Sequence, residues 1–306
     1  MNRFEYVSPK TVEEAVKHLA PGSGALAKAG GTDLVSRMKD RIAFPKTVVN
    51  LLGLALDKIE PGEKSIKVGA LVTLAELAAH EKTRKGWAAL AQAAGEAATP
   101  QIRNVATVGG NLCQRPRCWY YRSPDFSCLK KGGEGCPAIE GDNRYHAVFG
   151  EAKCPIVHAS NLGPALVAMD GVVHVAGSGG ARAIPAPDFF ATEDVKRENS
   201  LKDDEVVVAI EVPAGWKSAY LEVRERQSFD WPLASVVVAQ KGDDARVVLG
   251  AVSPAPWRST VAERAWSGGG AKVAEAAVAT AKPMSGNAYK VDLVKALIPR
   301  AMEAMK

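Results

Sequence analysis

Five cysteines, at positions 113, 118, 128, 136 and 154, fall within 42 positions of a 306-residue chain that has no others. The segment around them, 112 to about 156, carries Arg115, Arg117, Trp119, Tyr120, Tyr121 and the run Lys130-Lys-Gly-Gly-Glu-Gly135, with no sustained helical or strand period. An irregular stretch of this length inside a compact domain needs something to hold it together, and a metal or cluster would do so. A secreted disulfide scaffold would be shorter than this chain. The spacings Cys113-x4-Cys118-x9-Cys128-x7-Cys136-x17-Cys154 include no C-x-x-C pair and do not match zinc knuckles. Four thiolates on an irregular loop suit a cubane iron-sulfur cluster, whose negative charge Arg115, Arg117 and Arg122 would offset. Zinc and free buried thiols stay open as alternatives.

The rest of the chain is ordinary globular sequence, 47% hydrophobic and 24% charged, which excludes a disordered, collagenous or coiled-coil chain. Lys+Arg 39 against Asp+Glu 34 gives 39 − 34 = +5, spread without a basic block, so nucleic-acid binding is not expected. No apolar run is long enough to span a membrane, and MNRFEYVSPK lacks the apolar core of a signal peptide. The default expectation is a cytoplasmic protein, or a periplasmic one if a partner carries it there. The length predicts two domains.

Thr11 and Glu14 have capping-box spacing, and Val12, Ala15, Val16 and Leu19 keep helical spacing, which predicts a helix over about 11–20. The run Ala25 to Ala29, then Gly30-Gly31-Thr32-Asp33, then Leu34, Val35 and Met38 reads as strand, glycine turn, helix. Thr47 to Leu52 reads as a strand, Lys58 to Ala70 as a hairpin about Pro61-Gly62, Thr73-x-x-Glu76 as a capping box, and 85–98 as a helix. Leu162 to Met169 and Val172 to Val175 predict a helix and a strand, with a linker around Pro185 to Asp204. Beyond it, Glu205–Val212, Ser218–Arg226, Ala234–Gln240 and Ala245–Val252 read as strands, and 261–281 and 290–305 as helices. A meander with packed helices implies an α+β layer.

Two segments carry binding chemistry. In Lys28-Ala-Gly-Gly-Thr-Asp-Leu34, glycines between strand and helix let backbone N–H groups approach a phosphate. The spacing is neither that of a G-x-G-x-x-G fingerprint nor that of a P-loop. Thr107-Val-Gly-Gly-Asn111 repeats the arrangement about 75 positions later, so the two turns could clamp one pyrophosphate, or each could be a plain tight turn. His146 and His158 read as core or surface histidines, with a ligand role as the alternative. No nucleophile-base pair or carboxylate pair stands out, and no catalytic residue is assigned.

Lys28-Ala-Gly-Gly-Thr-Asp-Leu34 and Ala106-Thr-Val-Gly-Gly-Asn-Leu112 resemble the two FAD motifs of the flavin subunits of molybdenum hydroxylases, the xanthine dehydrogenase and carbon monoxide dehydrogenase family. The opening Phe4-x-Tyr6-x-x-Pro9, the segment Asp204 to Pro213 and Arg226-x-x-x-Asp230 are similar too, so the resemblance covers essentially the whole chain. It implies an α+β fold in two parts. Residues 1–178 would form a two-subdomain FAD-binding domain of the vanillyl-alcohol-oxidase-like (PCMH) type, divided near 55, and 179–306 a smaller α+β domain with an antiparallel sheet and packed helices. It implies FAD held by Ala27, Lys28, Ala29, Gly30, Gly31, Thr32, Asp33, Leu34, Thr107, Gly110, Asn111, Asn161, Leu162, Val207 and Arg224. Relatives often carry Asp where Asn161 stands.

Asn111 to Arg122, Gly135-Cys-Pro-Ala-Ile-Glu-Gly141 and Asn143-Arg-Tyr-His-Ala147 resemble the aldehyde oxidoreductase branch, whose flavin subunit carries a [4Fe-4S] cluster in an insertion that most relatives lack. The implied ligands are Cys118, Cys128, Cys136 and Cys154, because Cys113 directly follows the Gly-Gly-Asn motif. The implied partners are a large molybdenum-cofactor subunit and a small [2Fe-2S] subunit, and the implied role is electron transfer to an external acceptor. The rival readings are a self-contained flavin oxidoreductase and a non-catalytic, zinc-stabilised interaction module.

Overall fold

The computed structural model describes residues 1–191, 193–226 and 229–306. Residue 192 of the expected linker and residues 227–228 of the Arg226 to Asp230 segment lie outside them. A parallel sheet opens the chain, with β1 (Glu5–Val7), β2 (Ala25–Lys28) and β3 (Thr47–Asn50) in the order β1-β3-β2. Parallel strands need crossovers, supplied by the helices Val12–His18 and Leu34–Lys39. Strand alternation sends Val49 to the first helix, against Ala15, Val16 and Leu19, and Val48 to the second, against Leu34 and Met38. Thr11 caps the first helix by accepting from Glu14 N–H at 3.2 Å, while the Glu14 carboxylate accepts from Lys10 N–H at 2.7 Å.

The second sheet is antiparallel: β4 (Ile59–Pro61), β5 (Ser65–Gly69), β6 (Val172–Gly177), β7 (Gly180–Pro185) and β8 (Val206–Pro213), in the order β4-β5-β8-β6-β7. Here the structure moves the expected domain division. β7 and β8 lie beyond 178 yet belong to this sheet, with β8 hydrogen-bonded to β5 on one side and β6 on the other. An apolar run such as Val206 to Val212 reads as a strand in any sheet, and nothing local says that it returns to fill a central slot.

The third sheet holds β9 (Lys217–Val223), β10 (Ala234–Lys241), β11 (Asp244–Gly250) and β12 (Trp257–Arg258), antiparallel in the order β12-β11-β10-β9. Helices Gly270–Val278 and Tyr289–Ala304 cover it, burying Val273, Val294 and Ile298. The helix expected over 261–281 is broken after Thr260–Arg264 by Gly268-Gly269-Gly270, with Gly269 at φ +80. The helix expected over 85–98 is likewise two, Glu81–Gly86 and Ala88–Glu96, with Trp87 buried between them. Among the described residues no helix is long and apolar enough to cross a membrane.

The cysteine-bearing insertion holds a short helix, Trp119–Arg122, and a 3-10 turn, Leu129–Lys131, and is otherwise irregular. The Lys130 ammonium, almost fully buried, meets Glu198 at 2.5 Å and donates to Val195 O at 2.8 Å. Arg115 also reaches Glu198, at 2.5 Å. A second buried lysine, Lys290, donates to Tyr145 O at 3.0 Å and Ala251 O at 2.9 Å and has no carboxylate partner among the described residues. Burial pushes its ammonium down to about 7. An unfolded lysine keeps its proton to about 10.4, so between these values the unfolded chain binds more protons and stability rises with pH. The melting temperature should therefore climb from pH 7 to pH 9, and Lys290→Met should lose that climb. Equal slopes for the two proteins in differential scanning calorimetry would refute the assignment.

Candidate functional site

The first glycine turn leaves β2 and enters the helix Leu34–Lys39. Gly30 is forced: a Cβ there would stand 1.8 Å from Val105 O, so the turn and the second subdomain touch backbone to backbone. Gly31 has φ +78, a conformation that favours glycine. The N–H groups of Gly30, Gly31, Thr32, Asp33 and Leu34 find no acceptor among the described residues. Five consecutive free donors on one turn make an anion-binding concavity.

Asp33 closes this turn with its carboxylate in a cage of arginines. It lies 2.9 Å from Arg37 Nε, 2.6 Å from Arg122 Nη2 and 3.3 Å from Arg117 Nη1. Burial raises its pKa, but the three guanidiniums outweigh that and hold the carboxyl below the usual range. The sequence suggests that Arg115, Arg117 and Arg122 offset the charge of a cluster. In the structure the direct ion pairs of Arg117 and Arg122 are with Asp33 of the first glycine motif, and that of Arg115 is with Glu198.

The second glycine segment forms the short helix Val108–Leu112, capped by Thr107, whose hydroxyl accepts from Gly110 N–H at 3.2 Å. Val108 N–H donates to Val72 O and Gly109 N–H to Ala70 O, so this segment does not offer the first one's row of free donors. Gly109 lets the helix press on Ala70, where a Cβ would meet the Ala70 side chain at 3.0 Å. Gly110 is exposed on the open side. Asn111 Oδ1 accepts from Ser160 Oγ at 2.7 Å and Leu162 N–H at 3.3 Å, which leaves its Nδ2 for the cavity it lines.

That cavity, about 170 Å³, is walled by Thr32, Asp33, Gly110, Asn111, Ala97 and Ala98. A second, about 300 Å³, is walled by Cys118, Trp119, His146, His158, Tyr220 and Leu233. Arg117, Asn161 and Trp231 line both. Asn161 Nδ2 donates to Tyr220 Oη at 3.3 Å and Glu222 Oε2 at 3.2 Å. An aspartate at 161 would face the Glu222 carboxylate, which gives a physical reason for asparagine here. His158 accepts from Ser160 N–H at 3.2 Å, and burial pushes its imidazole down to about 4, so it is neutral.

The side chains of the other expected ligands lie outside the two cavities. Leu34 sits in the small core, and Leu162 and Val207 in the large one. Arg224 lines neither cavity, because its guanidinium is taken by Glu222 and by the backbone and carboxylate of Glu96. Lys28 Nζ donates to Asn50 Oδ1 at 3.3 Å. Ala27 is exposed and Ala29 half-buried on the approach to the turn.

Cys136 and Cys154 hydrogen-bond each other; sharing the proton pushes Cys136 down to about 6 and Cys154 up. Burial raises Cys118, with Cys136 and Cys128 near enough to add to the shift. His146 Nε2 lies 3.4 Å from Cys118 Sγ, and Trp119 packs edge-on against Tyr145. Cys113 stands apart at the large core, where burial and Asp33 push it up to about 12. Among the described residues no three His, Cys, Asp or Glu side chains converge as one metal ion would require. Zinc needs four donors about 2.0–2.3 Å from a common point, whereas a cubane takes one thiolate on each of several irons.

Thr32 and Asp33 of the free-donor turn share one cavity with Gly110 and Asn111 of the capped Gly-Gly-Asn segment, an arrangement that suits a phosphate-bearing ligand. Residues 2–215 match the family model described as the FAD binding domain in molybdopterin dehydrogenase. The chain is 37% identical over 304 residues to the aldehyde oxidoreductase FAD-binding subunit PaoB of Escherichia coli (strain K12), covering 96% of each. It is 31% identical to the nicotinate dehydrogenase FAD-subunit of Eubacterium barkeri, covering 81% of this chain and 72% of that one. Carbon monoxide dehydrogenase from Hydrogenophaga pseudoflava superposes with a TM-score of 0.77 at 26% identity, covering 99% of this chain and 97% of that chain. The chain belongs to the family of FAD-binding medium subunits of the molybdenum hydroxylases.

Proposed function

We propose that the chain is the FAD-containing electron-transfer subunit of an aldehyde-oxidoreductase-type molybdenum hydroxylase. Electrons would originate at a large molybdenum-cofactor subunit, pass through [2Fe-2S] centres of a small subunit, reach this subunit and leave to an external acceptor. The observation that carries the reading is the turn Gly30 to Leu34, with five unpaired N–H groups, whose Thr32 and Asp33 line one cavity with Gly110 and Asn111. Those donors fit a diphosphate, and the Cβ-free surface at Gly110 admits the dinucleotide beside it. FAD supplies the redox chemistry when bound, and this chain supplies position and electrostatics. Asn161, with Nδ2 held by Glu222, keeps Oδ1 for a ribityl hydroxyl.

The same reading gives the subunit a [4Fe-4S] cluster on Cys118, Cys128, Cys136 and Cys154. What supports it is the donor chemistry: Cys136 and Cys154 hydrogen-bond each other, Cys118 feels the charges of Cys136 and Cys128, and His146 reaches the sulfur of Cys118. The location follows the partners, cytoplasmic by default and periplasmic by export with a subunit that carries a signal. Anaerobically purified protein should show flavin bands on a broad sulfur-to-iron shoulder, both bleaching with dithionite, and about four irons per chain. Cys113→Ser should keep the shoulder and Cys136→Ser should lose it. Flavin without iron would remove the cluster from the reading; aldehyde oxidation by this chain alone would overturn the subunit assignment.

A further inference from the structure

Arg117 belongs to the cysteine-bearing insertion and to neither glycine motif, yet it lines both cavities of the cleft. Its guanidinium stacks over the Trp231 ring at 4.5 Å and donates to Gln114 Oε1 at 3.2 Å. Its charge is poorly matched. Asp33 is shared by three arginines, and Arg117 holds the longest of the three contacts, 3.3 Å against 2.6 Å and 2.9 Å. The cage therefore has more guanidinium than nearby carboxylate, beside a turn whose five N–H groups are also without acceptors. Two independent features, surplus positive charge and unfilled donors, converge on the cavity containing Thr32, Gly110 and Asn111.

We propose that Arg117 is a ligand of the bound dinucleotide's diphosphate, so that the insertion completes the FAD site as well as carrying the cysteines. A planar guanidinium matches phosphate oxygens in a bidentate way, and an oxidised flavin ring offers it no formal charge. An arriving diphosphate would neutralise the arginine that Asp33 leaves least satisfied. This inference rests on the FAD reading and is independent of the cluster.

The test titrates the FAD-depleted full chain with FAD and, separately, with ADP, which carries a diphosphate and no flavin ring. Arg117→Met should weaken both by the same factor, about 10- to 100-fold, the scale of one charged hydrogen-bonded contact. Arg117→Lys, which keeps the charge against Asp33, should fall between. It should also shift the two phosphorus resonances of bound FAD in NMR, which a merely structural residue would leave in place. Weakened FAD with unchanged ADP would place the contact on the flavin and overturn the proposal, as would unchanged affinity for both. If Arg117→Met fails to fold, the lysine variant decides: wild-type affinity with unmoved phosphorus resonances refutes the contact. Wild-type protein that binds neither ligand would sink the FAD reading itself.

Discussion

Gly30→Ala should abolish tight FAD binding, raising the dissociation constant by about 100-fold or more, and should lower the melting temperature by several degrees. The added Cβ would stand 1.8 Å from Val105 O and 2.7 Å from Val105 C. Both are backbone atoms, so no rotamer change relieves the clash and the two subdomains must part. Overpacking of this kind costs about 1–3 kcal/mol, and the parting moves the turn whose N–H groups form the anion site. A displacement of about 1 Å is enough to cost two orders of magnitude where geometry is matched to a ligand. Gly110→Ala is the informative contrast, since its Cβ would meet only Thr107 Oγ1, at 3.0 Å, on the exposed side. That variant should keep its melting temperature and lose FAD affinity, because the obstruction falls in the ligand's space. Flavin-fluorescence titration and scanning fluorimetry check the pair. A Gly30→Ala protein that matches wild type in both would refute the close-contact account.

These contrasts also mark what could be read from residues alone. The glycine turns, the capping boxes at Thr11 and Thr73 and most strands follow from local chemistry, because spacing and turn residues act over a few positions. Thr73 forms the full box, with Thr73 N–H donating to Glu76 at 2.9 Å and Glu76 N–H donating back at 3.2 Å. The expected division at 178 failed because β8 is inserted between strands about 140 and 35 positions upstream, a non-local pairing with no local signal. The site was legible where a motif carries the chemistry in its backbone, as at Gly30 and Gly31. It was not legible for Arg117, Ser160 and Glu222, which act through partners far along the chain: Asp33, Asn111 and Asn161. Arg224 shows the converse, since its basic side chain fits the motif but is spent on Glu222 and Glu96.

The arginine cage leads to the second large effect. Asp33→Asn should cost about 3–5 kcal/mol, the scale of breaking a buried ion pair by removing one partner, because three guanidiniums then face one another across a neutral amide. The size of the side chain is kept, so the loss reports charge. The insertion should loosen first, since Arg117 and Arg122 tie it to the first glycine turn and Arg115 N–H also donates to Asp33, at 3.3 Å. Trypsin should then cleave after Arg117, Arg122 or Lys131 in the variant far faster than in wild type, while the third sheet stays intact. The pH dependence follows from the same geometry. Asp33 is held below the usual carboxylate range, so its contribution is complete above its unfolded value of about 3.9 and is lost as pH falls through the lower folded value. Wild type should therefore lose stability as pH falls below about 4, and Asp33→Asn should show a shallower acid slope from a lower starting point. Urea unfolding at pH 7 and pH 3 separates the two contributions. A variant as stable and as protease-resistant as wild type at pH 7 would mean that the insertion is anchored by Lys130 and Glu198 alone, and that the FAD turn and the cysteine segment are energetically independent.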